Sequence, residues 1–135
     1  MSLNIVLSKN GEAPEWNGDT SISFSGGSAD YWYLWSTLIK EIRNETGQLI
    51  DLYDDAEFSG DNLNKVERLI IKQIQELKDE KEEKWEIHIG TEFGHIKKEI
   101  YKTLVKEELI SKLEKFLAII QQAKENNEKV ICIGD

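Results

Sequence analysis

Apolar and polar positions repeat along this chain with two different periods, and the period changes at turn-forming residues. Asn4–Leu7 and Ser21–Phe24 are short strand-like runs. In the second, Ile22 and Phe24 alternate with Ser21, Ser23 and Ser25, as a half-buried strand requires. The loop between them carries Gly11, Pro14, Gly18 and Asp19, and Gly26-Gly27 ends the second run with Ser28 placed as a helix N-cap. From Ala29 to Glu45 the spacing becomes three and four: Tyr31, Leu34, Trp35, Leu38 and Ile42 form one helical stripe, stopped by Thr46-Gly47. Gln48–Tyr53, with Leu49 and Ile50, reads as a strand entering the acidic loop Asp54–Asp61. A second helix is expected over Asn62–Glu80, capped by Asp61 or Ser59 and facing inward through Leu63, Val66, Ile70, Ile74 and Leu77.

The second half continues in the same manner. Lys84–Ile89 is a strand with Trp85, Ile87 and Ile89 on one face and Glu86 and His88 on the other, followed by a hairpin loop at Gly90–Gly94. Lys97–Val105 carries both periods. Ile96, Ile100 and Leu104 suit a helix, whereas Tyr101, Thr103 and Val105 share one face of a strand. The glycine loop before them decides for a strand. The last helix spans about Lys106–Asn126, packing through Leu109, Leu113, Phe116, Leu117 and Ile120. Asn126-Asn127 turns the chain into a closing strand at Val130–Ile133. The order β-β-α-β-α-β-β-α-β implies an α+β fold of two layers, one mostly antiparallel sheet packed with about three amphipathic helices.

Length and composition narrow this picture. At 135 residues with one proline and no internal repeat, residues 1–135 form a single domain able to bury a real core. No stretch of 18 apolar residues and no basic-then-apolar N-terminus occurs, which argues against a membrane span or signal peptide. The single cysteine, Cys132, points to a reducing, cytoplasmic setting. Charge is unevenly divided. Residues 1–61 hold three basic against eleven acidic side chains, a net of −8, while residues 62–135 hold fourteen against fifteen, a net of −1. That field repels nucleic acid, whose binding needs clustered Lys and Arg, and attracts cationic partners.

Candidate chemistry changes little. With Gly60 at position 6 of a calcium loop, Asp55, Glu57 and Ser59 fall at positions 1, 3 and 5, but position 12 is Val66 rather than glutamate. His88 and His95 bracket the hairpin turn without the third ligand of a zinc site. Cys132 between Ile131 and Ile133 reads as a small buried hydrophobe. Gly26-Gly27-Ser28 lacks the lysine of a phosphate loop, and Asp30 opposes an anion there. No catalytic residue, metal or cofactor is expected, and enzymatic activity is not.

The cluster Tyr31-Trp32-Tyr33-Leu34-Trp35 is more informative, because residues about 100° apart cannot all face one core. Trp32 or Tyr33 must lie on a flank, covered by a loop such as the one carrying Trp16 or exposed as an anchor. On this aromatic-rich helix (Tyr31–Trp35), the acidic segment Asp54–Asp61, the Trp strand Trp85–Ile89 and the terminal Gly134-Asp135, the chain resembles the small acidic immunity proteins that bacteria encode beside polymorphic or contact-dependent toxins. The likeness covers most of the length and matches no single defined family, so it transfers no binding residues. It implies a protein that binds and blocks one cognate toxin, often a nuclease with a basic substrate site. The residues themselves nominate Asp54, Asp55, Glu57 and Asp61 as the electrostatic component and Trp32, Tyr33 and Phe58 as anchors for a basic protein partner. The alternative is a structural or regulatory subunit that homodimerises through its helices; a metal-dependent hydrolase ranks third. Neither nucleic acid nor membrane is expected as a partner, and the chain is a monomer or a homodimer.

Overall fold

Strands β1 (Ser2–Ser8), β2 (Ser21–Ser25), β3 (Ala56–Phe58) and β6 (Lys129–Gly134) form an antiparallel sheet in the order β2-β1-β6-β3. Strands β4 (Lys84–Glu92) and β5 (Lys98–Val105) form a separate antiparallel hairpin. The computed structural model describes residues 2–8, 21–25 and 28–134. The loop with Gly11, Pro14, Trp16, Gly18 and Asp19, the Gly26-Gly27 pair and Asp135 lie outside the described residues.

The α+β expectation holds, with the strand at Lys98–Val105 in place, but one expected sheet is two. The register explains the first sheet. Its helix-facing rows are Phe24–Leu3–Gly134, Ile22–Ile5–Cys132–Ala56 and Leu7–Val130–Phe58, each crossing neighbouring strands. Nearly every member of these rows is a buried apolar residue, so alternation along each strand produces one continuous apolar face. The hairpin has no such face to share. Its Leu104 is buried, while Trp85 and Ile87 are half-buried, and they dock on the helical layer rather than extending a sheet edge.

Helix α1 comprises an α-helical segment Ala29–Leu34, a π-helical turn Trp35–Ile39 and a second α segment Lys40–Thr46. The wide turn has a local cause. The Tyr33 carbonyl accepts the hydroxyls of both Ser36 (3.1 Å) and Thr37 (2.9 Å), so side chains supply hydrogen bonds where the backbone ladder shifts. The shift also changes the stripe: Ile39 joins Tyr31, Leu34, Leu38 and Ile42 in the core, and Trp35 is only half-buried. Gly47, at φ 76°, closes the helix by donating its N–H to Arg43 O at 2.8 Å. Ser28 occupies the N-cap position but caps no helical N–H. Its hydroxyl donates to Ser25 O, and Asp30 accepts the Tyr31 N–H instead.

Helix α2 (Asp61–Lys78) buries Leu63, Val66, Ile70, Ile74 and Leu77 as expected, together with Leu69 and Gln73. Neither Ser59 nor Asp61 caps it through a side chain. Gly60 is the N-cap at φ 57°, ψ −130°, a backbone state suited to glycine, and its carbonyl accepts the Leu63 N–H. Helix α3 (Lys106–Asn126) buries Leu109, Leu113, Phe116, Ile119, Ile120 and Ala123, and leaves Leu117 half-buried. Asn127 adopts the left-handed conformation, and Glu128 N donates to Ala123 O at 2.8 Å, which turns the chain into β6.

Candidate protein-binding surface

Residues 48–61 were expected to hold a strand over Gln48–Tyr53 and then a free loop. The structure reverses this: Gln48–Tyr53 is irregular, and the strand is β3 inside the acidic segment. Ile50, Leu52, Ala56 and Phe58 are buried. Tyr53, Asp54, Asp55, Glu57, Ser59 and Asp61 are exposed, and Asp51 is half-buried. Apolar side chains thus pin the segment at intervals while its carboxylates face water.

Backbone contacts fix the segment further. Gly134 on β6 lies so close that a β-carbon there would come within 2.7 Å of Asp51 O, Asp54 N and Asp54 O. Its N–H donates to Asp55 Oδ1 at 3.2 Å, and Tyr53 N donates to Asp51 Oδ1 at 3.3 Å. On the outer edge of β3, Glu57 N donates to the side-chain Oε1 of Gln48 at 3.1 Å. That amide therefore occupies an edge position that a further strand would need. Gln48, expected within a strand, instead supplies a side-chain substitute for one.

The predicted electrostatic residues all lie on this exposed strip, but they are not equivalent. Glu57 is ion-paired with Lys129 at 2.8 Å. Asp61 lies 3.9 Å from Lys65 and accepts from Asn64 at 3.4 Å. Asp55 holds the Gly134 N–H. Asp54 has no cationic partner among the described residues and carries the least compensated charge. Val66, at the position where a calcium loop closes, is fully buried in α2. Among the described residues no three His, Cys, Asp or Glu side chains gather as a metal site.

Of the three predicted aromatic anchors, Phe58 needs correction, while Tyr33 and Trp32 lie half-buried on a flank. Phe58 is fully buried, because it pairs with Val130 in the core row of β3 and β6. It supports the strip from beneath and offers no surface. Tyr33 is half-buried between two partners: its ring meets Trp85 edge-on at 5.9 Å, and its hydroxyl accepts from Gln73 Nε2 at 3.4 Å. Burial raises its pKa, and its role is to hold the β4–β5 hairpin on α1 and α2. Trp32 is half-buried against Tyr31 (5.1 Å, T-shaped) and Trp35 (6.4 Å). The aromatic standing among the carboxylates is Tyr53, 64% exposed. The sequence points to it as well as to Phe58, since both are aromatic residues set between carboxylates in the acidic segment, and only Tyr53 stays outside the core.

Tyr31 joins the strip to the core. Its hydroxyl donates to Ile50 O at 3.5 Å, and burial, reinforced by the Asp51 charge, pushes its pKa up to about 12. Cys132 is fully buried and its thiol is pushed well up by desolvation, so it is not a thiolate at neutral pH. His88 pairs with Glu99 on the exposed face of the hairpin and lies 5.3 Å from the Tyr101 ring. Glu99 also accepts the Thr91 hydroxyl at 2.8 Å, and that bond, followed by His88, holds its carboxyl below the usual range. No helix among the described residues is long and apolar enough to cross a membrane. No family model, curated protein or solved structure significantly matches this chain.

Proposed function

We propose that the chain is a protein-binding module that neutralises one cationic protein, and that this partner is a toxin whose basic active site the Asp54–Asp61 strip covers. The observation that carries the reading is the alternation over residues 50–61. Buried apolar residues and the Gly134 contact hold the backbone, while Asp54, Asp55, Glu57 and Asp61 stand outward around an exposed Tyr53. Preformed carboxylates facing a cationic cleft take the place of nucleic-acid phosphates and speed encounter, and an aromatic centre slows dissociation. The protein performs no chemistry in this reading.

The test is capture of a cationic toxin from the native host and its association rate with this chain, measured by biolayer interferometry at low and high salt. Converting Asp54, Asp55 and Glu57 to Lys is expected to slow association by about tenfold or more at low salt, with a smaller difference at high salt. Circular dichroism separates this from misfolding. An unchanged association rate in a folded variant would show that the strip is not the docking surface.

A further inference from the structure

Among the described residues strand β5 is paired with β4 along one side only. On the other side Lys102, Thr103, Leu104 and Val105 border an open groove of about 360 Å³, whose remaining walls include Asp30, Glu108 and Lys112. Successive strand residues point to opposite faces, so four consecutive ones can border a single groove only along the strand's edge. The other sheet treats its edges differently. Gln48 occupies the Glu57 amide on β3, and Lys112 Nζ donates to the Ser23 carbonyl on β2 at 3.4 Å. Among the described residues no side chain bonds the backbone of the free β5 edge in this way, and an edge without such a guard is a template for another strand.

We propose that a second copy of this chain docks here, β5 against β5 across a two-fold axis at Tyr101. Identical strands related by a two-fold axis pair antiparallel, and charge together with paired length selects the register. Centring on Thr103 opposes no like charges but pairs only Tyr101–Val105, two residues fewer than centring on Tyr101. Centring on Glu99 would oppose two glutamates, centring on Ile100 would oppose Lys98 and Lys102, and centring on Lys102 would oppose two lysines. Centring on Tyr101 sets Glu99 against Thr103, Ile100 against Lys102 and Lys98 against Leu104, with no like charges directly opposed. Lys98 and Leu104 share a face of β5, the face turned to the helices. The incoming Lys98 therefore meets the groove wall carrying Glu108, and symmetry repeats the pair. Asp30 on the same wall is already ion-paired with Lys112. The axis covers Tyr101, 54% exposed, and each hairpin tip, with Phe93 and Ile96 80% and 83% exposed, reaches toward the β5–α3 junction of the other copy. This surface is independent of the acidic strip and its test needs no toxin.

Sedimentation velocity over a concentration series is expected to show a reversible dimer with a dissociation constant of about 1–100 μM. Lys98→Glu and Glu108→Lys are each expected to weaken it about tenfold, since two symmetry-related pairs become repulsive, and the double variant restores it. Amide exchange at Lys98–Thr103 slows as the dimer fills, and thermal melts show that both single variants fold. A wild-type chain that stays monomeric at about 1 mM overturns the proposal. So does a dimer indifferent to either reversal, or one that the double variant does not restore. Protection of β5 only by a different protein also overturns it and assigns the edge to a foreign strand.

Discussion

Gly134→Ala tests how tightly the acidic strip is seated on the central strand β6. The added methyl would stand 2.7 Å from three backbone atoms, Asp51 O, Asp54 N and Asp54 O. All three are backbone, so no side chain can swing away, and β6 is flanked by β1 and β3 and cannot slide. Overpacking of this kind costs about 1–3 kcal/mol. Loss of unfolded-state freedom on replacing glycine returns roughly 0.4–1 kcal/mol. The net expectation is a loss of about 1–2 kcal/mol, a fall in melting temperature of roughly 4–8 °C for a domain of this size. The displaced Asp51–Asp55 backbone should also weaken the proposed toxin binding more than the stability loss alone explains. Thermal and urea unfolding followed by circular dichroism measure the first effect. Gly90→Ala and Gly94→Ala serve as controls, because a β-carbon at either meets nothing within 4 Å. They should be neutral or raise stability by up to about 1 kcal/mol, the unfolded-state gain without the clash. If Gly134→Ala behaves like these controls, the strip does not rest on β6 as described and the case for a preformed surface falls with it.

Phe58→Ala should cost about 3–5 kcal/mol in urea unfolding, as a fully buried aromatic does, whereas Tyr53→Ala should leave stability within about 0.5 kcal/mol and weaken only the proposed toxin binding. Tyr31, raised to about 12 by burial, stabilises the fold fully below the pH near 10 where an unfolded tyrosine ionises, and loses that contribution as pH climbs through 12. The alkaline loss attributable to it is about 2 kcal/mol, and Tyr31→Phe should remove that part of the pH dependence in unfolding measured from pH 9 to 12. Glu99→Gln weakens the acceptor shared by Thr91 and His88, so amide exchange in β4 and β5 should quicken while the global melting temperature hardly moves.

The long elements were legible because their periods are strong and local. Helix α2 declared itself through Leu63, Val66, Ile70, Ile74 and Leu77, and the β4–β5 pair through alternation broken by a glycine loop. What the sequence concealed depended on distant pairing. Ala56 and Phe58 alternate with Glu57, but three residues make a strand only because Val130–Cys132 stand opposite them. The apolar pair Leu49-Ile50 gave a stronger local signal and has no strand partner. Phe58 looked like an anchor because carboxylates flank it in the sequence, yet neighbouring strand residues face opposite sides, so those same neighbours implied its burial. The π turn in α1 was hidden in Ser36 and Thr37, whose hydroxyls compete for the Tyr33 carbonyl. The division into two sheets was not legible at all, because it depends on where the helices leave room for the hairpin.

The alternation over residues 50–58 has a consequence for how such a surface can change over generations. Scaffold and display are written in different letters of the same short stretch. Replacing Tyr53 or Asp54 rewrites the outward face without disturbing Ile50, Leu52, Ala56 or Phe58 underneath. The Gln48 bond on the outer edge means that this display is made of side chains, each open to substitution on its own, and not of a backbone template common to every sequence. A lineage can therefore revise this outward face one residue at a time while the architecture beneath stays constant.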